Sequence, residues 1–299
     1  MKKKIIVIGG PTAIGKTELT IKLAEKWKTE IISADARQFY KELNIGVAKP
    51  SRKELNTVPH HFIGHISIEK KYSVGQYETD VLKKITELFK KHNVIFVCGG
   101  SGLYIQAICD GLNDFPEINH EVKIQLKNDL IKKGLEHLIR ELKKHDIETY
   151  RKIDKKNPRR VLRALEVYRA SGKPYSFYTK QKKTTRDFET IYIGINTDRQ
   201  ILYERINDRV DKMIENGLIK EAKKLYNYKD TQALNTIGYQ ELFEYFNQKI
   251  SLNKAVEQIK QNTRRYAKRQ VTWFSKEKYN QFTSNQEDLI IDFIKNQSK

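Results

Sequence analysis

Short apolar runs alternate with amphipathic stretches through the first hundred residues. Residues 5–8 form an unbroken apolar run of strand length, and residues 16–26 follow with Leu19, Leu23 and Ala24 on one helical face. A second strand is expected at 30–33, a weaker third at 61–66, a strong fourth at 94–98 and a fifth at 190–195. Between the third and fourth, Val81, Leu82, Ile85 and Leu88 recur at helical spacing across 75–91. Strands alternating with helices predict an α/β fold, a parallel sheet covered on both faces. From 113 onward the strand pattern stops. Asn157 and Pro158 supply a cap and a first-turn proline, and Gly172 a stop, for a helix carrying Val161, Leu162, Leu165 and Tyr168. The sheet pattern resumes only at 190, so an α/β core over 1–112 and 191–299 with a helical insertion over 113–190 is expected. After Asp198 the chain reads as helical almost to its end.

Charge changes this picture. Across 299 residues, 57 Lys and Arg face 37 Asp and Glu, a net charge of +20. Such an excess says nothing about fold but attracts polyanions, nucleic acid before membrane. Between 113 and 189 there are 20 basic against 12 acidic side chains, which places much of the excess on the insertion. Hydrophobic residues make up only 38%, yet 30 aromatic residues in a chain of this length can bury a core, which excludes disorder throughout. Cys98 and Cys109 are too few for a zinc cluster or a disulfide framework and fit a reducing compartment. The apolar run after Lys2, Lys3 and Lys4 is too short for a signal peptide, and no stretch approaches the ~20 apolar residues of a membrane span. A cytoplasmic protein with no membrane partner is the expectation.

Gly10-Pro11-Thr12-Ala13-Ile14-Gly15-Lys16-Thr17 fits G-x-x-x-x-G-K-[ST] in full, after a predicted strand and opening a predicted helix. In such a P-loop the backbone N–H groups turn toward phosphate oxygens, and the helix N-terminus adds the positive end of its dipole. Lys16 would reach the terminal phosphate, and the Thr17 hydroxyl would hold Mg²⁺. A P-loop ATPase normally has a second apolar strand ending in Asp. Here that strand runs into Cys98-Gly99-Gly100-Ser101, with no carboxylate, whereas the run Ile31-Ile32-Ser33-Ala34 ends in Asp35. Strand ends of a parallel sheet face one crevice, so Asp35, Ser101 and the phosphate cradle are expected to share it. By position alone Asp35 can be a base for an incoming nucleophile, a group near Mg²⁺, or a helix cap.

Further motifs follow in order along nearly the whole chain. They are Asp35-Ala36-Arg37-Gln38-Phe39-Tyr40, Asn44-Ile45-Gly46-Val47-Ala48-Lys49-Pro50, Pro59-His60-His61, Tyr72-Ser73-Val74 and Gly99-Gly100-Ser101-Gly102-Leu103-Tyr104. Later come Asn157-Pro158-Arg159-Arg160-Val161-Leu162-Arg163, Ile237-Gly238-Tyr239 and Thr263-Arg264-Arg265-Tyr266-Ala267-Lys268-Arg269-Gln270. With the P-loop, this series resembles the tRNA dimethylallyltransferase family, the tRNA isopentenyltransferases. The resemblance implies a P-loop NTPase-like core with a helical insertion. It implies transfer of a dimethylallyl group from its diphosphate to the exocyclic N6 amine of adenosine 37 in tRNA, with Mg²⁺ as cofactor and a monomer as the working form. Gly10 through Thr17 would hold the diphosphate, with Arg209, of the Arg205–Arg209 pair, contacting it from above. Asp35 would be the general base and Ser101 would lie at the reacting centre. Asp35, Ala36, Arg37, Gln38 and Ser101 would meet the target nucleotide, and Lys123, Arg159, Arg160, Val161, Leu162 and Arg163 the anticodon stem-loop. Ala36 stands where the family more often has Ser, and Ser101 where it more often has Thr.

The chemistry is compatible with that resemblance. Carbon–nitrogen bond formation needs a held leaving diphosphate and a positioned base. The target base must also leave its stack, at a cost of a few kcal/mol, so a pocket must receive it. Phe39 and Tyr40 are either walls of that pocket or plain core. Residues 254–270 carry six basic side chains against Glu257 alone, with Lys260, Arg264 and Lys268 on one face. That face is either solvated or set against phosphates. The seven histidines show no metal-ligand spacing, and adjacent His60 and His61 read as structural. Two alternatives stand beside prenyl transfer: a P-loop kinase with Asp35 activating a hydroxyl, and a non-catalytic nucleotide-dependent RNA-binding protein.

Overall fold

The computed structural model describes residues 2–181 and 185–297. Its elements begin with β1 (Lys4–Gly9), α1 (Lys16–Lys26), β2 (Ile31–Ser33), α2 (Arg52–Thr57) and β3 (His60–His61). α3 (Val74–Leu88), β4 (Val94–Gly99) and α4 (Gly102–Cys109) follow. The β1 run is buried along its length because its side chains alternate between two cores. Ile6 and Ile8 pack with Leu19, Leu23 and Phe96 on one face. Ile5 and Val7 pack with Tyr77, Val81 and Ile105 on the other. This is the expected α/β arrangement, helices on both faces of a parallel sheet.

Residues Gly111–Thr185 form a separate compact unit. It holds α5 (His120–His145), α6 (Ile147–Lys152), α7 (Pro158–Ser171) and α8 (Tyr175–Thr179). Residues 182–184 of this stretch lie outside the described residues. Its core joins Leu126, Leu138 and Leu142 of α5 to Val161 and Leu165 of α7. The Asn157 side chain accepts from Arg160 N–H at 3.4 Å, and Gly172 takes the left-handed conformation (φ 69°) that ends α7. Arg169 ties α7 to α5 through Glu141 at 2.6 Å and Asp129 at 2.8 Å.

The α/β unit, Met1–Asp110 with Arg186–Lys299, resumes at β5 (Glu189–Ile195). Then come α9 (Arg199–Glu215), α10 (Leu218–Lys224), α11 (Tyr239–Phe246), α12 (Leu252–Phe274), β6 (Asn280–Phe282) and α13 (Glu287–Asn296). The sheet order is β3-β2-β4-β1-β5-β6, every neighbouring pair parallel. Two expectations are corrected. The chain is not helical to its end after Asp198, because β6 adds an edge strand to β5. Asn280 and Gln281 are exposed there, so the three-residue strand carries no hydrophobic signature. The third strand is His60–His61 rather than 61–66, because Phe62 (φ 64°) and Gly64 (φ 57°) turn left-handed and break it. Ile66 returns only as an isolated bridge to Tyr40. Among the described residues no helix is long and apolar enough to cross a membrane.

Candidate active site

Three adjacent strands deliver the site. β2, β4 and β1 are neighbours, and their registers align Ser33 and Ile8 with Cys98, so the three strands end level with one another. The chain leaves β1 into the cradle, β2 into Ala34 and Asp35, and β4 into Gly99, Gly100 and Ser101. A Cβ at Gly99 would overlap the Ala34 carbonyl, so only glycine lets these two strand ends approach. Backbone bonds then lace them together: Ala34 N–H donates to the Cys98 carbonyl at 2.8 Å, and Ser101 N–H to the Ala34 carbonyl at 3.2 Å. The Ser101 hydroxyl accepts from Ala36 N–H at 3.1 Å, and the Asp35 carboxylate from Arg37 N–H at 3.0 Å. Asp35 is thereby pinned beside Ser101.

In the cradle, Ala13 (φ 63°) and Gly15 (φ 95°) are left-handed, the alternation that turns successive N–H groups into one concavity. The Lys16 ammonium bonds back to the Pro11 carbonyl. Burial pulls Lys16 down to about 8; Cys98 and Asp35 counter this, while the Arg209 cation adds to it. Burial also lowers Arg209, on α9, and Asp35 again opposes the shift. Two desolvated cations and one carboxylate thus share a single field, an arrangement suited to a multiply charged anion. Thr17 lies in the first turn of α1, half-buried. A cavity of about 570 Å³ adjoins Arg209, lined also by Asn44, Ile45, Lys49, Arg205 and Lys212. Its size falls within the usual range of small-ligand pockets.

The remaining sequence-predicted residues divide by environment. Gln38 donates through its amide to the Ala48 carbonyl at 3.1 Å, tying it to the loop after Asn44. Arg37 reaches the carbonyls of Gln232 at 2.9 Å and Asn235 at 3.0 Å. Phe39 is core rather than pocket wall, 1% exposed and stacked on Tyr77 at 5.1 Å; Tyr40 is equally buried. In the helical unit Lys123, Arg159 and Arg160 are exposed, while Arg163 lies over the Phe115 ring at 5.2 Å. Val161 and Leu162, expected at the anticodon stem-loop, turn their side chains into the core of the helical unit. Val161 is fully buried and Leu162 packs on the same core, because they form the apolar face of α7. His60 and His61 have protein partners, the Val58 carbonyl at 2.7 Å and Glu30 at 2.6 Å.

Two site residues carried no assigned role in the sequence. Gln270, 6% exposed, accepts from Thr12 N–H at 3.0 Å and donates to the Gly100 carbonyl at 2.9 Å. Burial and then the Asp35 charge push the Tyr266 phenol up to about 12, against the pull of the nearby Ser101 hydroxyl and the Arg37 and Arg269 cations. The available signal was a glutamine on the apolar stripe of an amphipathic helix, four residues after a tyrosine. On α12 the two share a face with Ala267 and Phe274.

The IPP transferase family model matches residues 38–277. The chain belongs to this family. It is 50% identical to the tRNA dimethylallyltransferase of Christiangramia forsetii over 98% of both chains. It is 46% identical to that of Flavobacterium johnsoniae, again over 98% of both. The full-length tRNA isopentenylpyrophosphate transferase from Bacillus halodurans superposes with a TM-score of 0.73 at 35% identity, over 99% of this chain and 96% of that one. A eukaryotic dimethylallyltransferase acting on tRNA superposes with a TM-score of 0.84 at 29% identity, over 99% of this chain and 80% of that one. The IPP transferase match begins at Gln38, past both the cradle and Asp35. The relatives, which match 98% of this chain, extend over both.

Proposed function

We propose that the protein transfers the dimethylallyl group from dimethylallyl diphosphate to the N6 amine of adenosine 37 in tRNA, releasing diphosphate. The observation that carries this reading is Asp35 held in the same crevice as a P-loop, after β2, which β4 separates from the strand that leads into the P-loop. The N6 lone pair bonds to C1 of the dimethylallyl group. The C1–O bond breaks with its electron pair going to diphosphate, and the N6 proton passes to the Asp35 carboxylate. Lys16, Arg209 and the cradle amides stabilise the charge that grows on the leaving group. The Ala36 N–H, which donates to the Ser101 hydroxyl at 3.1 Å, would keep that hydroxyl oriented.

Mg²⁺ fits the donors present. Among the described residues no cluster of three His, Cys, Asp or Glu could hold a metal ion alone. The Thr17 hydroxyl offers a hard oxygen, and Mg²⁺ favours a site with few protein ligands completed by phosphate oxygens and water. When bound, it would neutralise charge on the diphosphate. In the helical unit Lys123, Arg159, Arg160 and Arg163 would meet phosphates of the anticodon stem-loop. One chain supplies every group named, so a monomer would suffice.

Incubation with dimethylallyl diphosphate and unmodified tRNA should yield diphosphate and N6-dimethylallyladenosine in equal amounts. A parallel incubation with ATP and hydroxyl acceptors reads the kinase alternative. ADP production without prenylated adenosine would overturn the proposal.

A further inference from the structure

We propose that Gln270 is a positioning residue that sets the distance between the diphosphate cradle and the reacting centre. The proposal rests on the function argued above. On α12 the buried stripe otherwise consists of Ala255, Ile259, Ala267 and Phe274, where an apolar side chain would pack at lower cost than a carboxamide. The carboxamide of Gln270 is used at both ends. Its Oε1 accepts from Thr12 N–H, inside the cradle, and its Nε2 donates to the carbonyl of Gly100, the residue before Ser101. A Cβ at Gly100 would collide with that amide nitrogen, so the side chain sits directly on the backbone. One rigid group with a donor at one end and an acceptor at the other therefore spans the loops after β1 and β4. One loop holds the leaving group; the other is bonded through Ser101 to the backbone beside Asp35. Without the amide, Thr12 N–H and the Gly100 carbonyl lose their partner, and the spacing between electrophile and base is no longer fixed.

Gln270→Met keeps the length and removes both bonds. Its turnover should fall by about 10–100-fold and its KM for dimethylallyl diphosphate should rise several-fold, since misplacement by about 1 Å can cost ~10²-fold. Its tRNA affinity and cooperative melting should stay close to the parent's. Gly100→Ala should produce a similar loss by displacing the amide, and should add little in a Gln270→Ala background, where no amide remains to displace. Losses that multiply in the double variant, or parent-like turnover and KM in Gln270→Met, would overturn the proposal. So would a uniform loss that follows the unfolded fraction. Should the parent make no prenylated adenosine, the function reading fails separately. Calorimetry with inorganic diphosphate then decides: weaker binding by Gln270→Met supports the brace, and unchanged binding ends it.

Discussion

In the α/β unit the Arg37 guanidinium is taken up by backbone carbonyls, whereas in the helical unit Arg159 and Arg160 stand exposed on the first turn of α7. The contrast extends further. Lys49 is held by the Tyr40 carbonyl at 2.8 Å and by Asn44, Lys260 by Asp211 at 2.8 Å, and Arg264 by Asn207 at 2.6 Å. The cations left at the crevice, Lys16 and Arg209, are depressed by burial. In the helical unit Arg169 is fixed between two carboxylates, and Lys133, Lys152 and Arg163 each have one beside them. A net charge of +20 therefore has two uses. Partly desolvated cations suit one small anion in a fixed place, and exposed ones suit a screened polyanion whose counterions they displace.

The largest effect expected is at the crevice. Asp35→Asn keeps the shape but cannot accept a proton, so single-turnover transfer should fall by about 10²–10⁴-fold. Its tRNA affinity should change little, since backbone phosphates dominate it. Near-normal transfer would refute the base role, and partial rescue by added Mg²⁺ would reassign Asp35 to the metal. Lys16→Ala comes next, with about 10²-fold slower transfer. Because the Lys16 ammonium lies at about 8, the KM of the parent for dimethylallyl diphosphate should rise above that pH as the charge is lost. The Lys16→Ala variant should show no such rise.

Smaller effects test the helical unit. Replacing the exposed Arg159 and Arg160 together by Ala should flatten the salt dependence of tRNA binding by about 0.7–0.9 per phosphate contact removed. Lys260→Ala, which removes a cation already paired with Asp211, should leave that slope alone. Equal flattening by both variants would erase the distinction between claimed and exposed charge. The smallest effect is expected far from either surface. Burial alone would raise the Glu30 carboxyl, but its bonds to His61 and His92 hold it below its ordinary value. Its stabilisation should be complete above that ordinary value and lost as pH falls through the lowered one. Glu30→Gln should lower the melting temperature by about 2–4 °C at pH 7, and less in acid.

The fold was legible because its central strands are fully buried. Residues 5–8 and 94–97 must be apolar on both faces, and an unbroken run is what that requires. β6 was not legible, since an exposed edge strand needs only backbone pairing and its Asn280 and Gln281 carry no pattern. At the site, the cradle and Asp35 could be read locally, as a motif and as a strand end. Gln270 stood out only as a glutamine on an apolar stripe, and its role was hidden because its partners Thr12 and Gly100 are brought to it only by the folded sheet. The inward packing of Val161 and Leu162 was hidden for a related reason. A motif marks neighbouring residues alike, while a helix sends Val161 inward and Arg160 outward.

The pairing of β1 with β5 joins residue 4 to residue 189 across the whole intervening chain. During synthesis, β1 can therefore pair with β4 long before its other edge has a partner. Until residue 195 leaves the ribosome, this buried apolar strand presents an open row of N–H and carbonyl groups, the kind of edge that recruits other chains. The helical unit, built from contacts close in sequence, is made in that interval and can fold first. Nascent chains halted before β5 should consequently be the most aggregation-prone intermediates and the ones most dependent on chaperones.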